Sequence, residues 1–177
     1  MFWKACSRRW REKRTLIGSL SIPRPSVPNL KPLARGEKGG GADAQGLGRS
    51  RGGLGTKIHA AVDALGLPVR FVLAPGHRGD VIYGKELLAG LNPPGYVIAD
   101  RAYDAEHFHD TILDAGAIPV IPPRPERRRP HPCNWRIYKE RNLVERFFAK
   151  LKQFRRVATR YDKLLANFRG GFVTSQP

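Results

Sequence analysis

The sequence predicts an α/β domain whose mixed sheet is flanked by helices. Short apolar runs suited to buried strands alternate with segments of helical periodicity beyond residue 56. Their order is hairpin, helix, strand, helix, strand, long helix, which gives a sheet with both antiparallel and parallel neighbours. With 177 residues, 41% of them hydrophobic, the chain can bury one core of ordinary domain size.

The stretch "LIGSLSIPRPSVPNLKPLA" carries prolines at 23, 25, 28 and 32. Proline fixes φ and removes a backbone donor, so this stretch predicts no normal first strand. The run "ARGEKGGGADAQGLGRSRGG" that follows is read as a flexible linker or loop. Its glycines and lysines lack the G-x-x-x-x-G-K-[ST] spacing of a phosphate loop. Residues 1–45 are accordingly expected to be an aberrant or disordered basic segment rich in proline and glycine, ahead of a domain at 46–177.

"TKIHAAVDALGLPVRFVLAPG" reads as two strands, about 57–63 and 68–74, joined at a turn containing Gly66. Asp80 is placed to cap the helix begun by "VIYGKELLAGL". "GYVIAD" is a short buried strand ending on Asp100. Asp104 is placed to cap the helix "AEHFHDTILDAG", which Gly116 closes. "AIPVI" is a further buried strand, followed by the loop "PPRPERRRPHP" and a long helix from Tyr138.

The formal charge of +17 points to a polyanionic partner, nucleic acid first. It is unevenly spread. Residues 1–56 hold 12 Lys+Arg against 3 acids, 57–122 hold 5 against 8, and 123–177 hold 15 against 4. Cys6 and Cys133 are far apart and suggest neither a disulfide framework nor a zinc site; reduced thiols in a cytosol fit them. The opening basic residues precede no apolar run of signal length, and no stretch reaches the roughly 20 apolar residues of a membrane span. An intracellular, cytoplasmic protein with no membrane partner is expected.

On a helical projection from Tyr138, Arg141, Glu145 and Lys152 fall with it in one narrow sector. Leu143, Val144, Phe147, Phe148 and Leu151 form a separate apolar face that would pack on the sheet. Lys139, Arg146 and Lys150 make a third, basic strip along which phosphates could lie. By helical geometry alone Glu145 is an ordinary salt-bridged surface acid. Asp100 changes that reading, because ligands of open α/β sheets bind at the carboxyl ends of strands. Asp100 and Glu145 together are hard oxygen donors suited to Mg²⁺.

Y-x(2)-R-x(3)-E-x(6)-K, filled by Tyr138, Arg141, Glu145 and Lys152, resembles the signature of DDE transposases of bacterial insertion sequences. Asp100 in "ADRAYD" resembles that family's second catalytic aspartate. "GRSRGGLGTKIHAAVDALGLPVRF" and "RNLVERFFAKLKQFRRVATRY" are similar to further stretches of it. The resemblance covers about residues 46–169. It implies a ribonuclease H-like fold in which three acids hold two divalent metals, Mg²⁺ or Mn²⁺, for DNA strand cleavage and strand transfer.

Asp100 and Glu145 would then be the metal ligands, with Lys152 and Arg141 steadying the phosphate and Tyr138 orienting it. Lys139, Arg146, Lys150, Arg155, Arg156, Arg124, Arg127, Arg128 and Arg129 would contact DNA. The partners implied are insertion-sequence ends and target DNA, with a homodimer forming on DNA and a nucleoid-associated location. A non-catalytic basic nucleic-acid-binding protein is the alternative.

The family's first catalytic Asp has no counterpart in this chain, since no Asp or Glu lies between Lys13 and Gly36. Asp43 and Asp63 are poor substitutes, the first on an unsupported loop and the second where a turn-forming acid is expected. A transposase-derived chain, truncated or frame-disrupted at its N-terminus and inactive, is therefore expected. His107 and His109 are read as surface or packing residues, His59 and His77 as isolated, and His131 as part of a basic loop. Trp135 is expected to anchor its loop in the core.

Overall fold

The computed structural model describes residues 14–24, 41–50, 53–91, 95–162 and 164–173. Six strands form one mixed sheet: β1 (Arg14–Pro23), β2 (Gly48–Ser50), β3 (Gly53–Val62), β4 (Pro68–Pro75), β5 (Tyr96–Ala99) and β6 (Ile118–Val120). Their order is β2-β3-β1-β5-β6, and β4 also pairs with β3. β5 runs parallel to both β1 and β6, whereas β2 and β3 are antiparallel. This is the mixed sheet that the order of elements predicts.

β1 overturns the expectation that no normal first strand forms. Proline 23 is its last residue, and the nine residues before it contain none. Thr15, Leu16, Ile17 and Gly18 are buried in it. A proline at a strand's end forfeits no interior ladder bond, so the nearby prolines do not prevent pairing. Prolines 25, 28 and 32 lie outside the described residues. The stretch expected as a linker is also ordered in part. Gly41–Gly46 turns, with Leu47 N–H donating to Ala42 O at 2.8 Å, and leads into β2.

The helices are α1 (Gly84–Leu88), α2 (Glu106–Asp114), α3 (Trp135–Tyr138), α4 (Asn142–Leu151), α5 (Arg155–Ala158) and α6 (Leu165–Val173). Three 3₁₀ turns add to them at Asp80–Tyr83, Arg101–Tyr103 and Lys139–Arg141. The long helix expected from Tyr138 is thus divided. Gln153 and Phe154 N–H donate to the carbonyls of Lys150 and Leu151, i→i−3 bonds that tighten and end α4. Gly116, at φ +74°, closes the segment after α2 as expected.

The chain divides into two compact units, one holding residues up to Gly18 with His59–Val72 and Gly79–Phe147, the other Ser19–Ile58, Leu73–Arg78 and residues from Phe148. In the first unit, Ile17, Val97 and Ala99 pack with Leu87, Phe108 and Ile112, the inner faces of α1 and α2. Gly84 lets α1 approach closely, because a Cβ there would stand 2.5 Å from the Phe108 ring. Val144 and Phe147 are buried on α4, and Phe147 lies 5.7 Å from the Phe71 ring of β4.

The second unit is organised around Arg160, which is fully buried. Its Nη1 donates to Gln45 O at 2.8 Å and to Thr56 Oγ1, and its Nε donates to Asp162 O at 3.1 Å. Burial, and then the neighbouring Arg24 charge, lower its pKa to about 10. Several carbonyls and a hydroxyl spread the charge where a carboxylate would otherwise be expected.

Candidate active site

The site is set by the register of β1 on β5. Arg14, Leu16 and Ile17 lie beside Tyr96, Ile98 and Ala99. Paired residues of parallel strands face the same side, and successive residues alternate. Odd-numbered Ile17, Val97 and Ala99 face α1 and α2. Even-numbered positions therefore face the other side. Arg14 confirms this, because its guanidinium pairs with Glu140 in the 3₁₀ turn that leads into α4, and that turn packs on β5.

Asp100 follows β5 directly with an extended backbone (φ −78°, ψ 172°), so the alternation of the strand assigns it to the even-numbered face. Its Oδ1 accepts from Ala102 N–H at 2.9 Å, so it caps the 3₁₀ turn Arg101–Tyr103. Tyr138 closes α3, whose Asn134 cap accepts from Arg136 and Ile137 N–H at 3.2 Å each. The Arg141 guanidinium lies 5.7 Å from the centre of the Tyr138 ring and pairs with Glu145 one turn on. Burial pushes the Tyr138 phenol up; Arg141 opposes that, while Asp100 and Glu145 both add to it. One phenol thus senses both acids, which are 45 positions apart in the chain.

Beside Asp100 a second phenol is deeply held. Tyr103 Oη is 3.0 Å from His59 Nδ1, and His59 stacks on Tyr83 at 4.7 Å. Burial, then the charges of Asp80 and Asp100, push the Tyr103 phenol far above its ordinary range. It stays protonated, a buried polar group held by His59 three residues beyond Asp100. His59 is therefore not isolated. Nothing in its own segment signals this, because its partner stands 44 residues away.

Lys152 lies beyond α4 in the second unit and is exposed, as are Lys150 and Arg155 there. In the first unit Lys139 and Arg146 are exposed. The Arg156 side chain lies outside the described residues. In the arginine-rich loop, Arg124, Arg128 and Arg129 are exposed, and Arg124 Nη2 donates to Ala102 O at 3.3 Å. Arg127 is turned inward, with its Nη2 3.1 Å from Asp104 Oδ1 and its Nη1 2.6 Å from Glu106 Oε2.

Asp104 does not cap α2, whose N-cap is Ala105. It is buried and accepts from Arg124 N–H at 2.7 Å, while His109 Nε2 lies 3.1 Å away. Burial would raise its carboxyl, but these bonds and the Arg127 charge outweigh that and hold it below the usual range. His109 stacks on His131 at 4.0 Å, and burial, followed by the His131 charge, keeps it below the ordinary imidazole value. Asp80 is the first residue of its 3₁₀ turn, where Gly79 holds the N-cap position. Trp135 is not a core anchor, since it is 57% exposed and meets Tyr138 edge-on at 5.7 Å.

Asp63 is the turn former expected, accepting from Leu65 and Leu67 N–H at 2.9 Å each. Asp43 is bound to Arg78 at 2.9 Å, with His77 at 3.7 Å. Among the described residues no group of three or more His, Cys, Asp or Glu is placed to hold a metal ion. Two carboxylates fall short of what a pair of hard cations takes from a protein. As they stand, Asp100 and Glu145 do not fit the two-metal centre that the sequence resemblance implies.

Residues 23–172 match the family described as the transposase DDE domain. The chain belongs to that family. It is 47% identical over 116 residues to a Brucella ovis protein, "Putative transposase for insertion sequence element IS6501", a match covering 65% of this chain and 89% of that one. It is 32% identical over 130 residues to a Burkholderia cepacia protein, "Putative transposase for insertion sequence element IS402", covering 67% of this chain and 59% of that one. A solved piggyBac transposase synaptic complex with hairpin DNA aligns over 71% of this chain and 27% of its own, with 12% identity and a TM-score of 0.39. No described helix is long and apolar enough to cross a membrane.

Proposed function

We propose that this chain is the ribonuclease H-like catalytic domain of an insertion-sequence transposase that holds DNA ends without cutting them at the family's rate. The supporting observation is the Tyr138–Arg141–Glu145 row, whose 3₁₀ turn packs on β5, the strand that leads directly to Asp100. Arg141, paired with Glu145, is a cation suited to a phosphate oxygen entering beside that acid. Lys139 and Arg146, exposed around the same helical segment, track the backbone of the duplex through charge.

Mg²⁺ or Mn²⁺ is the cofactor of strand cleavage and transfer in this reading. Asp100 and Glu145 would be this chain's share of its ligands, a set too short to hold the pair of ions. Target DNA, a dimer assembled on two ends and a nucleoid location belong to the same reading. The alternative, a purely binding role, is favoured by the short donor set. Both are tested by titrating the protein onto its element's end DNA and following Mg²⁺-dependent nicking of the labelled strand. Binding without nicking supports the proposal; nicking at the rate of the Brucella relative overturns it, and so does equal affinity for all polyanions.

A further inference from the structure

The register of β1 identifies the residue at which the acidic centre is broken. The paired register ends with Ile17 beside Ala99; Asp100 keeps an extended backbone (φ −78°, ψ 172°), so continuing the register by one residue sets Gly18 against it. Both follow the even-numbered parity that carries Arg14 to Glu140, the side on which the 3₁₀ turn leading to Glu145 is packed. A side chain at 18 would therefore face the same side as Asp100, on the adjacent strand. Neighbouring parallel strands are about 4.8 Å apart. Two carboxylates at that spacing repel unless a cation lies between them, and that arrangement is what lets a divalent ion bind.

Gly18 is buried within the strand, where glycine weakens pairing and offers no side chain to pack. The other acids do not stand in for it. Asp43 is held by Arg78, Asp63 is committed to its turn, and Asp80 begins the segment whose Val81 and Tyr83 pack on the core at the α1–α2 side.

We infer that position 18 is the vacant third corner of the acidic centre, and that Gly18→Asp would complete with Asp100 and Glu145 a site for divalent cations. The inference rests on the reading of Asp100 and Glu145 as ligands, and deepens it by locating the lesion in one residue. A register shifted by one would place the new side chain among Leu87 and Phe108 instead, so the claim depends on the β1–β5 pairing and on nothing else in the first strand.

The test is Mn²⁺ binding by electron paramagnetic resonance to wild type, Gly18→Asp and Gly18→Asn, each full length, with affinity for end DNA measured in parallel. Gly18→Asp is expected to bind Mn²⁺ at least tenfold more tightly than wild type, and Glu145→Gln or Asp100→Asn in that background is expected to remove the gain. Folded Gly18→Asp with wild-type affinity overturns the inference, as does a gain that survives both second substitutions. If Gly18→Asp unfolds in chelator, Mn²⁺ is expected to restore its thermal transition while Gly18→Asn folds without metal. Failure of both variants to fold under all conditions also overturns it, because position 18 then accepts no side chain. Loss of DNA affinity in wild type would instead sink the functional reading and leave the metal result to stand separately.

Discussion

Arg14, at the start of β1, is ion-paired with Glu140 in the 3₁₀ turn that precedes α4. This contact joins the strand beside Asp100 to the helical segment that carries Glu145, and the Arg14 guanidinium also lies 6.0 Å from the Tyr96 ring. Glu140 is more than a third exposed, so solvent screens much of the pair. A double-mutant cycle with Arg14→Met and Glu140→Gln, read by urea denaturation, should give a coupling of about 0.5–1 kcal/mol. A coupling near zero would mean that this contact does not position the turn.

Asp104 should be the costliest acid to remove outside the site. It is buried and contacts Arg127, His109 and the Arg124 N–H, so Asp104→Ala strands a cation and an amide together. A loss of about 3 kcal/mol in unfolding free energy is expected. Arginine-loop residues should become sensitive to protease in the same variant.

The same cluster predicts a pH dependence whose sign follows from both partners. His109 is held below its ordinary 6.5 in the fold, so the unfolded chain takes up the proton first. Its contribution is present above about pH 6.5 and declines as pH falls toward the folded value. Asp104 is also depressed, so its contribution is present above its ordinary 3.8 and is lost below that. Unfolding midpoints should therefore fall in two stages on acidification, and His109→Gln should flatten the first. An unchanged midpoint between pH 7 and pH 5 would contradict this.

Gly84→Ala tests the packing of α1. The added carbon meets the buried Phe108 ring, so overpacking of about 1–3 kcal/mol is expected by denaturant titration. Trp135→Ala tests the opposite case. The indole is largely exposed, and the change should cost less than about 1 kcal/mol.

What could be read in the sequence was whatever depended on near neighbours. The β3–β4 hairpin, the two parallel strands, the closure of α2 at Gly116 and the apolar face of α4 all follow from spacing within one segment. β1 was missed because prolines were weighed over a whole stretch, whereas the strand occupies its proline-free front. Asp104 and His59 were misread because decisive partners of each, Arg124 and Arg127 for the first and Tyr103 for the second, lie 20 or more residues away, and an acid before a helix is a cap only if nothing better is within reach. Asp100 and Glu145 were singled out by their motif and stand as proposed ligands. Their relation to Gly18 required the register.

The loop between β6 and α3 shows four arginines in its sequence, but Arg127 is already neutralised by Asp104 and Glu106. A polyphosphate arriving there would shed condensed ions through Arg128 and Arg129, and would gain from Arg127 only by unseating two internal carboxylates. The salt dependence of association through this loop should therefore be shallower than a tally of its guanidiniums implies, by about one released counterion.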